Sequence, residues 1–224
     1  VKDNNVGIIG EITTQADIDY EALVRQAVAE IGYTDPELGF DADSAAVHLH
    51  IGAQSPEINT AVVKSDEEVG AGDQGIMFGY ASNDTEELMP LPIMLAHKLA
   101  RQLEDYRETQ AQKNDFTLRP DGKTQVSVEF DEKFRPKAVD TILISTQHSP
   151  DISQENLREL LIEEIIKPVL AESNVSELSA DMNILTNPSG SFIVGGPVAD
   201  SGLTGRKIVV DGYGGKGRVG GGAF

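Results

Sequence analysis

The sequence predicts an α+β protein made of repeated two-layer domains, each with helices packed on an antiparallel-rich sheet. Two observations predict this class. Short apolar runs with the period of a half-buried strand alternate along the chain with longer segments of helical period. The order is strands, helix, strands, helix, and no heptad or solenoid repeat interrupts it.

The first quarter of the chain predicts a strand, a helix and a second strand. An apolar run around Ile8 indicates the first strand, and the alternation over residues 47–51 indicates a second, half-buried one. Between them apolar residues recur at helical spacing, and Gly32 follows as a C-terminal cap. The helical stripe comprises Tyr20, Leu23, Val24, Ala27, Val28 and Ile31.

The middle of the chain begins with a polar segment and continues with a long helix. Gln54 to Val69 is aperiodic, which is typical of a long loop that covers a site. Pro90 and Pro92 then mark the start of a helix, because proline is tolerated in a first turn. The predicted buried stripe of this helix is Leu91, Met94, Leu95, Leu99, Leu103 and Tyr106.

The second half predicts a strand pair and a further helix. Residues 126–130 and 139–145 are alternating or apolar runs that flank a charged turn. Ser153 is the predicted N-cap of the next helix, and Pro168 should kink or shorten that helix near its end. Short strands are predicted around Ile184, at residues 192–194 and at residues 208–210.

The amino-acid composition limits which partners and which kinds of chemistry can be expected of this protein. The chain has 224 residues, 18 Lys and Arg against 37 Asp and Glu, and a net charge of −19. A body this acidic repels phosphate backbones and anionic lipids, so neither nucleic acid nor membrane is an expected partner. Cysteine is absent, which excludes a disulfide framework and a cysteine nucleophile. With no long apolar run and no signal peptide in the sequence, we expect a cytoplasmic protein.

Three glycine patterns mimic nucleotide-binding motifs but lack their context. Residues 70–75 and 215–220 fit G-x-G-x-x-G, yet the first follows an acidic loop and the second precedes no visible helix. Residues 122–124 match only the end of a P-loop. A dinucleotide-binding oxidoreductase is therefore disfavoured. Asp73-Gln74 remains unusual, because a carboxylate between glycines could bind an ammonium group, although composition alone favours a surface turn.

The segment from Ser189 to Lys207 combines an aromatic residue, glycine-rich turns and adjacent cations. Phe192 could stack on a base, and the Arg206-Lys207 pair could neutralise phosphate oxygens. A core strand followed by a solvated basic pair explains the same residues equally well. His48 and His50 share a strand face and could hold a metal, but two ligands do not make a site, so an exposed polar face is favoured.

One stretch carries a specific resemblance. Gly70-Ala-Gly-Asp-Gln-Gly-Ile-Met-Phe-Gly-Tyr80 resembles the signature of the S-adenosylmethionine synthetases (methionine adenosyltransferases). Further segments agree with that family in order along the whole chain, namely residues 10–14, 31–33, 39–44, 54–59, 145–149, 164–168, 202–207 and 220–224.

The resemblance implies an organisation and a reaction. The family has three similar α+β domains, and here residues 1–56 would be the remainder of the first, 57–69 a mobile active-site loop, 70–193 the central domain and 194–224 the start of the third. The family forms homodimers or homotetramers with active sites at the subunit interface. Its enzymes join ATP and L-methionine into S-adenosylmethionine and release phosphate and pyrophosphate, assisted by two Mg²⁺ per site and K⁺.

The resemblance also implies residue roles. The expected methionine-binding residues are Glu11, Gln54, Asp73 and Asp200. The expected catalytic and phosphate-binding cations are Lys123, Arg206 and Lys207. The expected ATP-binding set is Asp121, Gly122, Lys123, Ser191, Phe192, Asp200, Arg206, Lys207 and Ala223, with no metal ligand within these 224 residues.

Departures from the family pattern qualify these expectations. Ser191 stands where the family usually has Arg, and Gly122 varies the middle of its Asp-x-Lys segment. The family's early His-Pro-Asp-Lys motif, its early K⁺-associated Glu and the segment after Gly-Gly-Gly-Ala-Phe are missing from the sequence. We therefore expect a fragment lacking both termini, inactive alone although the intact protein is the enzyme. The alternative is a non-catalytic binding or regulatory relative with the same fold.

Overall fold

The computed structural model describes residues 1–62, 70–71, 74–173, 175 and 181–221. Strands and helices alternate with helices packed on sheets, which confirms the α+β class. The chain divides into two compact units, Val1–Met77 with Pro197–Leu203 and Phe78–Gly196 with Thr204–Phe224. None of the described helices is both long enough and apolar enough to span a bilayer.

The first unit is built on a parallel strand pair. Strands β1 (Asn5–Glu11) and β2 (Ala46–Gly52) pair in parallel, from Asn5 opposite Ala46 to Glu11 opposite Gly52. The pair is parallel because helix α1 (Tyr20–Glu30) lies between them as a crossover. The predicted strands, the helix and the cap at Gly32, whose φ is +100°, are confirmed. The buried core comprises Val6, Val28, Tyr33, Phe40, Ala42 and Ala45.

The predicted loop after β2 begins as a helix instead. Helix α2 (Pro56–Val62) occupies the part of this segment that the structure describes, and residues 63–69 lie outside the described residues. A proline at its first position and Glu57 in its first turn both favour a helix start. Seven residues are too few to show a periodic apolar stripe, so the sequence pattern missed it.

The second unit places three strands against helices. Strands β3 (Leu118–Phe130) and β4 (Pro136–His148) form a long antiparallel pair, and β5 (Asn183–Thr186) joins β4 in parallel. The described sheets are therefore mixed in direction, although their longest pairing is antiparallel. Strands β4 and β5 can run parallel because the helices between them return the chain to the same end of the sheet.

Helix α3 (Leu91–Ala111) packs its apolar stripe on this sheet as predicted. Leu91, Leu95, Leu99 and Leu103 recur at four-residue spacing and are all buried. They meet the buried faces of β3 and β4 at Val126, Val139, Ile142 and Ile144. The period-two strands and the 3.6-period helix thus share one core.

Pro168 lies just after a departure from α-helical geometry, in the region where the sequence predicts a kinked or shortened helix. Helix α4 (Gln154–Leu160) starts at the predicted N-cap, where Ser153 Oγ accepts the Asn156 N–H at 3.2 Å. A π-helical segment (Leu161–Ile166) follows, and helix α5 (Lys167–Glu172) contains the proline in its first turn. Proline has no N–H for the Glu164 carbonyl, which instead accepts the Gln102 side-chain N–H at 3.0 Å.

Two of the predicted short strands are wrong. Residues 192–194 form a loop, and residues 208–210 lie in a short helix, α7 (Ile208–Asp211), after another short helix, α6 (Gly196–Ala199). A three-residue apolar run cannot be assigned to strand or helix by periodicity. Glycine-rich flanks make such runs adopt whatever conformation the tertiary contacts favour.

Candidate functional site

The two faces of β3 separate the predicted polar residues from the core. Thr124 Oγ1 donates to the Ala96 carbonyl on α3 at 2.7 Å, so even-numbered residues here face that helix. Because side chains alternate along a strand, Asp121 and Lys123 lie together on the opposite face.

Gly122 between them is tied to close packing. A Cβ at this position would lie 3.1 Å from Leu103 Cδ2 on α3 and 3.4 Å from the Ser145 carbonyl oxygen. A larger middle residue would require the Leu103 side chain to give way by a few tenths of an ångström. The glycine in this Asp-x-Lys segment therefore matches the local helix–strand distance.

A loop from Ser191 to Gly196, here called the Phe192 loop, is pinned to the end of β4. The His148 N–H donates to the Phe192 carbonyl and the Phe192 N–H donates to His148 Nε2, both at 3.0 Å. The neighbouring Gln147 Nε2 donates to the Ile193 carbonyl at 2.9 Å. Gln147 and His148 are each only 2% exposed, so these bonds are shielded from water.

Gly195 brings two predicted nucleotide-binding residues together. A Cβ built on it would lie 2.9 Å from Phe192 Cε2, 2.9 Å from Gln147 Cδ and 3.0 Å from Asp121 Oδ2. The same Asp121 oxygen accepts the Gly196 N–H at 2.8 Å. The structure thus places the Asp121 carboxylate and the Phe192 ring around one glycine, 70 or more positions apart in sequence.

Lys123 is available for a ligand anion. Its side chain is exposed on the Asp121 face, and no described residue forms an ion pair or hydrogen bond with its ammonium group. Arg119 lies nearby on the same strand, where one guanidinium N–H donates to the Ile193 carbonyl at 3.2 Å. Arg119 therefore holds the Phe192 loop, whereas Lys123 can bind an anion.

The other predicted residues of this unit are placed without a contact to that cluster. Ser191 is exposed at the start of the Phe192 loop. Arg206 and Lys207 are also exposed, follow Gly205 with its φ of +74°, and precede α7. No contact described in the structure joins either cation to Asp121, Lys123 or Phe192.

In the first unit, Glu11 and Gln54 lie at one edge. Glu11 ends β1 opposite Gly52, and Gln54 follows Gly52 by two residues. Since parallel strands end at the same edge of a sheet, the carboxylate and the amide emerge side by side.

Asp200 lies at the other end of β1. The segment that contains it is bound to residues before that strand, through Asp3 N–H to the Pro197 carbonyl at 2.9 Å and Gly202 N–H to the Val1 carbonyl at 3.0 Å. A seven-residue strand separates this end from Glu11 by roughly 20 Å. Glu11 and Asp200 are therefore not joined within this unit.

Two of the predicted site residues are not described by the structure, and no metal site is found among the residues that are. Asp73 and Ala223 lie outside the described residues. Among the described residues, no group of three or more His, Asp or Glu side chains could hold a metal ion.

The sequence interpretation missed the role of three buried polar residues. Gln147 and His148 hold the Phe192 loop, and Asn187 pairs with both main-chain groups of Thr146, at 2.8 and 3.0 Å. For Gln147 and His148 the signal was a run of polar residues at the end of the apolar strand β4, which predicts buried hydrogen bonds when the strand is central. Gln147 Oε1 has no partner among the described residues.

Comparison with known proteins covers nearly the whole chain. Profiles of the S-adenosylmethionine synthetase domains match it in order: the N-terminal domain at residues 1–56, the central domain at residues 68–192 and the C-terminal domain at residues 194–224. The central-domain match alone spans more than half of the chain.

Two curated relatives show the extent of the similarity. An S-adenosylmethionine synthase of Corynebacterium urealyticum is 49% identical over 231 residues, which cover 98% of this chain and 57% of that protein. Another from Petrotoga mobilis is 52% identical over 230 residues, covering 98% and 56%. The chain thus spans a little more than half the length of these relatives.

Proposed function

The chain belongs to the S-adenosylmethionine synthetase family, and on that premise we propose that the protein makes S-adenosylmethionine from ATP and L-methionine. The methionine sulfur attacks C5′ of ATP, the S–C5′ bond forms as the C5′–O bond breaks, and the electron pair leaves with tripolyphosphate. Water then splits tripolyphosphate into phosphate and pyrophosphate. A thioether has no proton to lose, so this displacement needs alignment and anion stabilisation instead of a general base.

The residues clustered around Gly195 support the proposed binding of ATP. An aromatic ring beside a buried turn offers a stacking surface for adenine, and Lys123 projects from the same strand face as Asp121 without a competing carboxylate partner. We assign Lys123, Arg206 and Lys207 to the phosphates. In a chain with a net charge of −19, these cations, which form no ion pair with any residue that the structure describes, are the favourable points for a polyphosphate.

The sheet edge that carries Glu11 and Gln54 supports the proposed binding of methionine. A carboxylate can accept hydrogen bonds from an ammonium group, and an amide can contact a carboxylate or an ammonium group. We propose that Glu11 and Gln54, together with Asp73 and Asp200, hold methionine. Residues 57–69 remain our proposed mobile loop over the site, between proposed domains at residues 1–56 and 70–193, with a third domain starting at 194.

The separation of Glu11 from Asp200 supports sites shared between subunits. Residues held at opposite ends of one strand reach one substrate most simply when different copies contribute them. We therefore propose a homodimer or a dimer of dimers with interface active sites, acting in the cytoplasm.

Two Mg²⁺ per site and K⁺ belong to the proposal through the family. The described residues do not form a carboxylate cluster that fits Mg²⁺, so the steps above involve only the protein's own side chains and the substrates. When bound, Mg²⁺ would neutralise polyphosphate charge.

The test is product formation by the protein expressed from its complete gene. We expect S-adenosylmethionine, phosphate and pyrophosphate in equal amounts, dependent on both ATP and methionine and measured by chromatography. Lys123→Ala should lower kcat/KM by about 100-fold, because it removes one charged contact with the leaving group. Binding of both substrates without turnover by the complete protein would instead favour the non-catalytic relative with the same fold.

A further inference from the structure

Two hydrogen bonds between His148 and Phe192 point to a role beyond packing. Resting on the proposed function, we propose that His148 is a positioning residue: its imidazole ring and its backbone N–H hold the Phe192 backbone so that the ring is set for adenine. His148 touches neither ATP nor methionine in this proposal. It acts through Phe192, 44 positions away in sequence.

The surroundings of the imidazole define its tautomer. Nδ1 lies 2.8 Å from the Ser149 carbonyl oxygen, which can only accept, so Nδ1 carries the proton. Nε2 is then an acceptor, and two donors face it: the Phe192 N–H at 3.0 Å and the Gln154 side-chain Nε2 at 3.1 Å. A proton on Nε2 would point at both donors and break this arrangement.

The contact fixes the backbone of Phe192 on both sides. The His148 N–H donates to the Phe192 carbonyl while its ring accepts the Phe192 N–H, so one residue satisfies both main-chain groups. Gln147 holds the next carbonyl, that of Ile193. With its backbone held, Phe192 can vary only its two side-chain torsions.

Packing then selects the ring position. Phe192 Cε2 lies where a Cβ of Gly195 would be only 2.9 Å away, so the ring occupies space that the glycine leaves open. Asp121 closes the same turn by accepting the Gly196 N–H at 2.8 Å. The backbone bonds to His148 therefore determine where the ring stands relative to the Asp121 and Lys123 face.

A matched pair of variants distinguishes loss of the hydrogen-bond acceptor at position 148 from replacement of the imidazole itself. The Gln side chain in His148→Gln can place an oxygen near the Nε2 position and keep an acceptor for Phe192. The shorter side chain in His148→Asn reaches only the Nδ1 position and leaves that N–H unpaired. An unpaired buried donor should raise the KM and the Kd for ATP by about ten-fold in the Asn variant, with the Gln variant within about three-fold of wild type.

An exposed position offers a second pair that avoids any folding problem. Gln154→Glu replaces the second donor beside Nε2 by an acceptor, which cannot bond to another acceptor, whereas Gln154→Ala only removes that donor. We expect weaker ATP binding in the Glu variant and near-normal binding in the Ala variant. Both substitutions lie on the exposed start of α4.

The measurements use the protein expressed from its complete gene. Steady-state kinetics give the KM values for ATP and for methionine, and calorimetry gives the Kd for ATP without methionine. The proposal expects the ATP values to rise with the methionine KM unchanged, and rescue in His148→Gln. Equal effects on both substrates, or equal effects of Asn and Gln, would overturn it in favour of a general structural role.

The design distinguishes this inference from the proposed function. If wild type binds ATP but forms no S-adenosylmethionine, the proposed function fails while the Kd ratio between variants still decides the role of His148. If wild type turns over and His148→Asn binds ATP normally, only the positioning role fails. Absence of ATP binding by wild type would overturn both.

Discussion

Gly195 illustrates how a single missing side chain shapes the candidate site. Its Cβ position is crowded by Phe192 and Gln147 at 2.9 Å and by Asp121 at 3.0 Å. These neighbours belong to three different segments of the second unit, so none can move without disturbing another. The glycine is required here by close approach, since a strained φ is not involved.

Gly195→Ala should therefore weaken ATP binding while leaving the protein folded. Overpacking of this kind typically costs about 1–3 kcal/mol, which corresponds to a rise of roughly 5- to 150-fold in Kd where the cost falls on the ring position that binds adenine. Calorimetric titration with ATP measures it. Gly215→Ala is the control, because nothing lies within 4 Å of its Cβ position; equal affinity losses in both variants would contradict the crowding argument.

Asp41 shows a different residue-scale effect, on stability. It is buried before β2 and accepts hydrogen bonds from the Ser44 hydroxyl and from the Ser44 and Asp43 N–H groups, the latter two at 2.9 and 3.0 Å. The Ser44 hydroxyl, followed by these backbone bonds, holds the pKa of Asp41 below its ordinary value of 3.8. The carboxylate thus stabilises the turn that leads into β2.

The sign of the pH dependence follows from that lowered pKa. A carboxyl whose folded-state pKa is depressed adds stability above its unfolded pKa and loses it as pH falls through the folded value. Asp41→Asn should therefore melt at a lower temperature than wild type at pH 7, and the difference should shrink below pH ~4. Circular dichroism melts test this, with the exposed Asp43→Asn as control; a gap that is constant with pH would refute it.

At the scale of elements, the π segment and Pro168 form one unit with α3. Because proline cannot donate to the Glu164 carbonyl, Gln102 from α3 supplies the hydrogen bond. The bond links two helices of the second unit at the point where the helix departs from α geometry. The end of the π-helical segment is thus supported by a hydrogen bond from another helix, α3.

Removing that donor should cost a modest amount of stability. We expect Gln102→Ala to lower the free energy of unfolding by about 0.5–1.5 kcal/mol in urea titrations. In the Pro168→Ala background the new N–H can serve the carbonyl, so the same substitution should cost less. Additive effects in this double-mutant cycle would show that the two residues are independent.

For the whole molecule, the distance between Glu11 and Asp200 leads to a prediction about assembly. The two residues are held at opposite ends of β1, yet the proposed chemistry requires both near methionine. In a symmetric dimer each site can take Glu11 from one copy and Asp200 from the other. The active unit is then larger than the chain.

Complementation between inactive variants tests this assembly. Glu11→Gln and Asp200→Asn proteins, each made from the complete gene, should be nearly inactive alone. Unfolded together and refolded, a random mixture of dimers should regain about a quarter of wild-type activity, because half the dimers are mixed and each has one intact site. Absence of any regained activity in mixed dimers confirmed by mass spectrometry would place both residues in a site within one chain.

Much of this architecture was predictable from local pattern. The stripe of α3, the strand at 139–145 and the cap at Ser153 depend on residues a few positions apart, and all three are confirmed. The wrong strands at 192–194 and 208–210 fall in glycine-rich stretches, where local preference is weak. Of the candidate site, the family resemblance named Asp121 and Phe192, but their meeting around Gly195 depends on contacts distant in sequence.

Periodicity and short motifs are properties of neighbouring residues, so most of the helices and strands, and the family, could be predicted from the sequence. Three features emerged only from the fold: β1 and β2 run parallel, Asp121 meets the Phe192 loop, and His148 holds that loop. These contacts join residues 41 to 75 positions apart, and their geometry depends on how helices and sheets pack around a common core. Local pattern carries no information about which distant hydrogen-bonding groups that packing brings together.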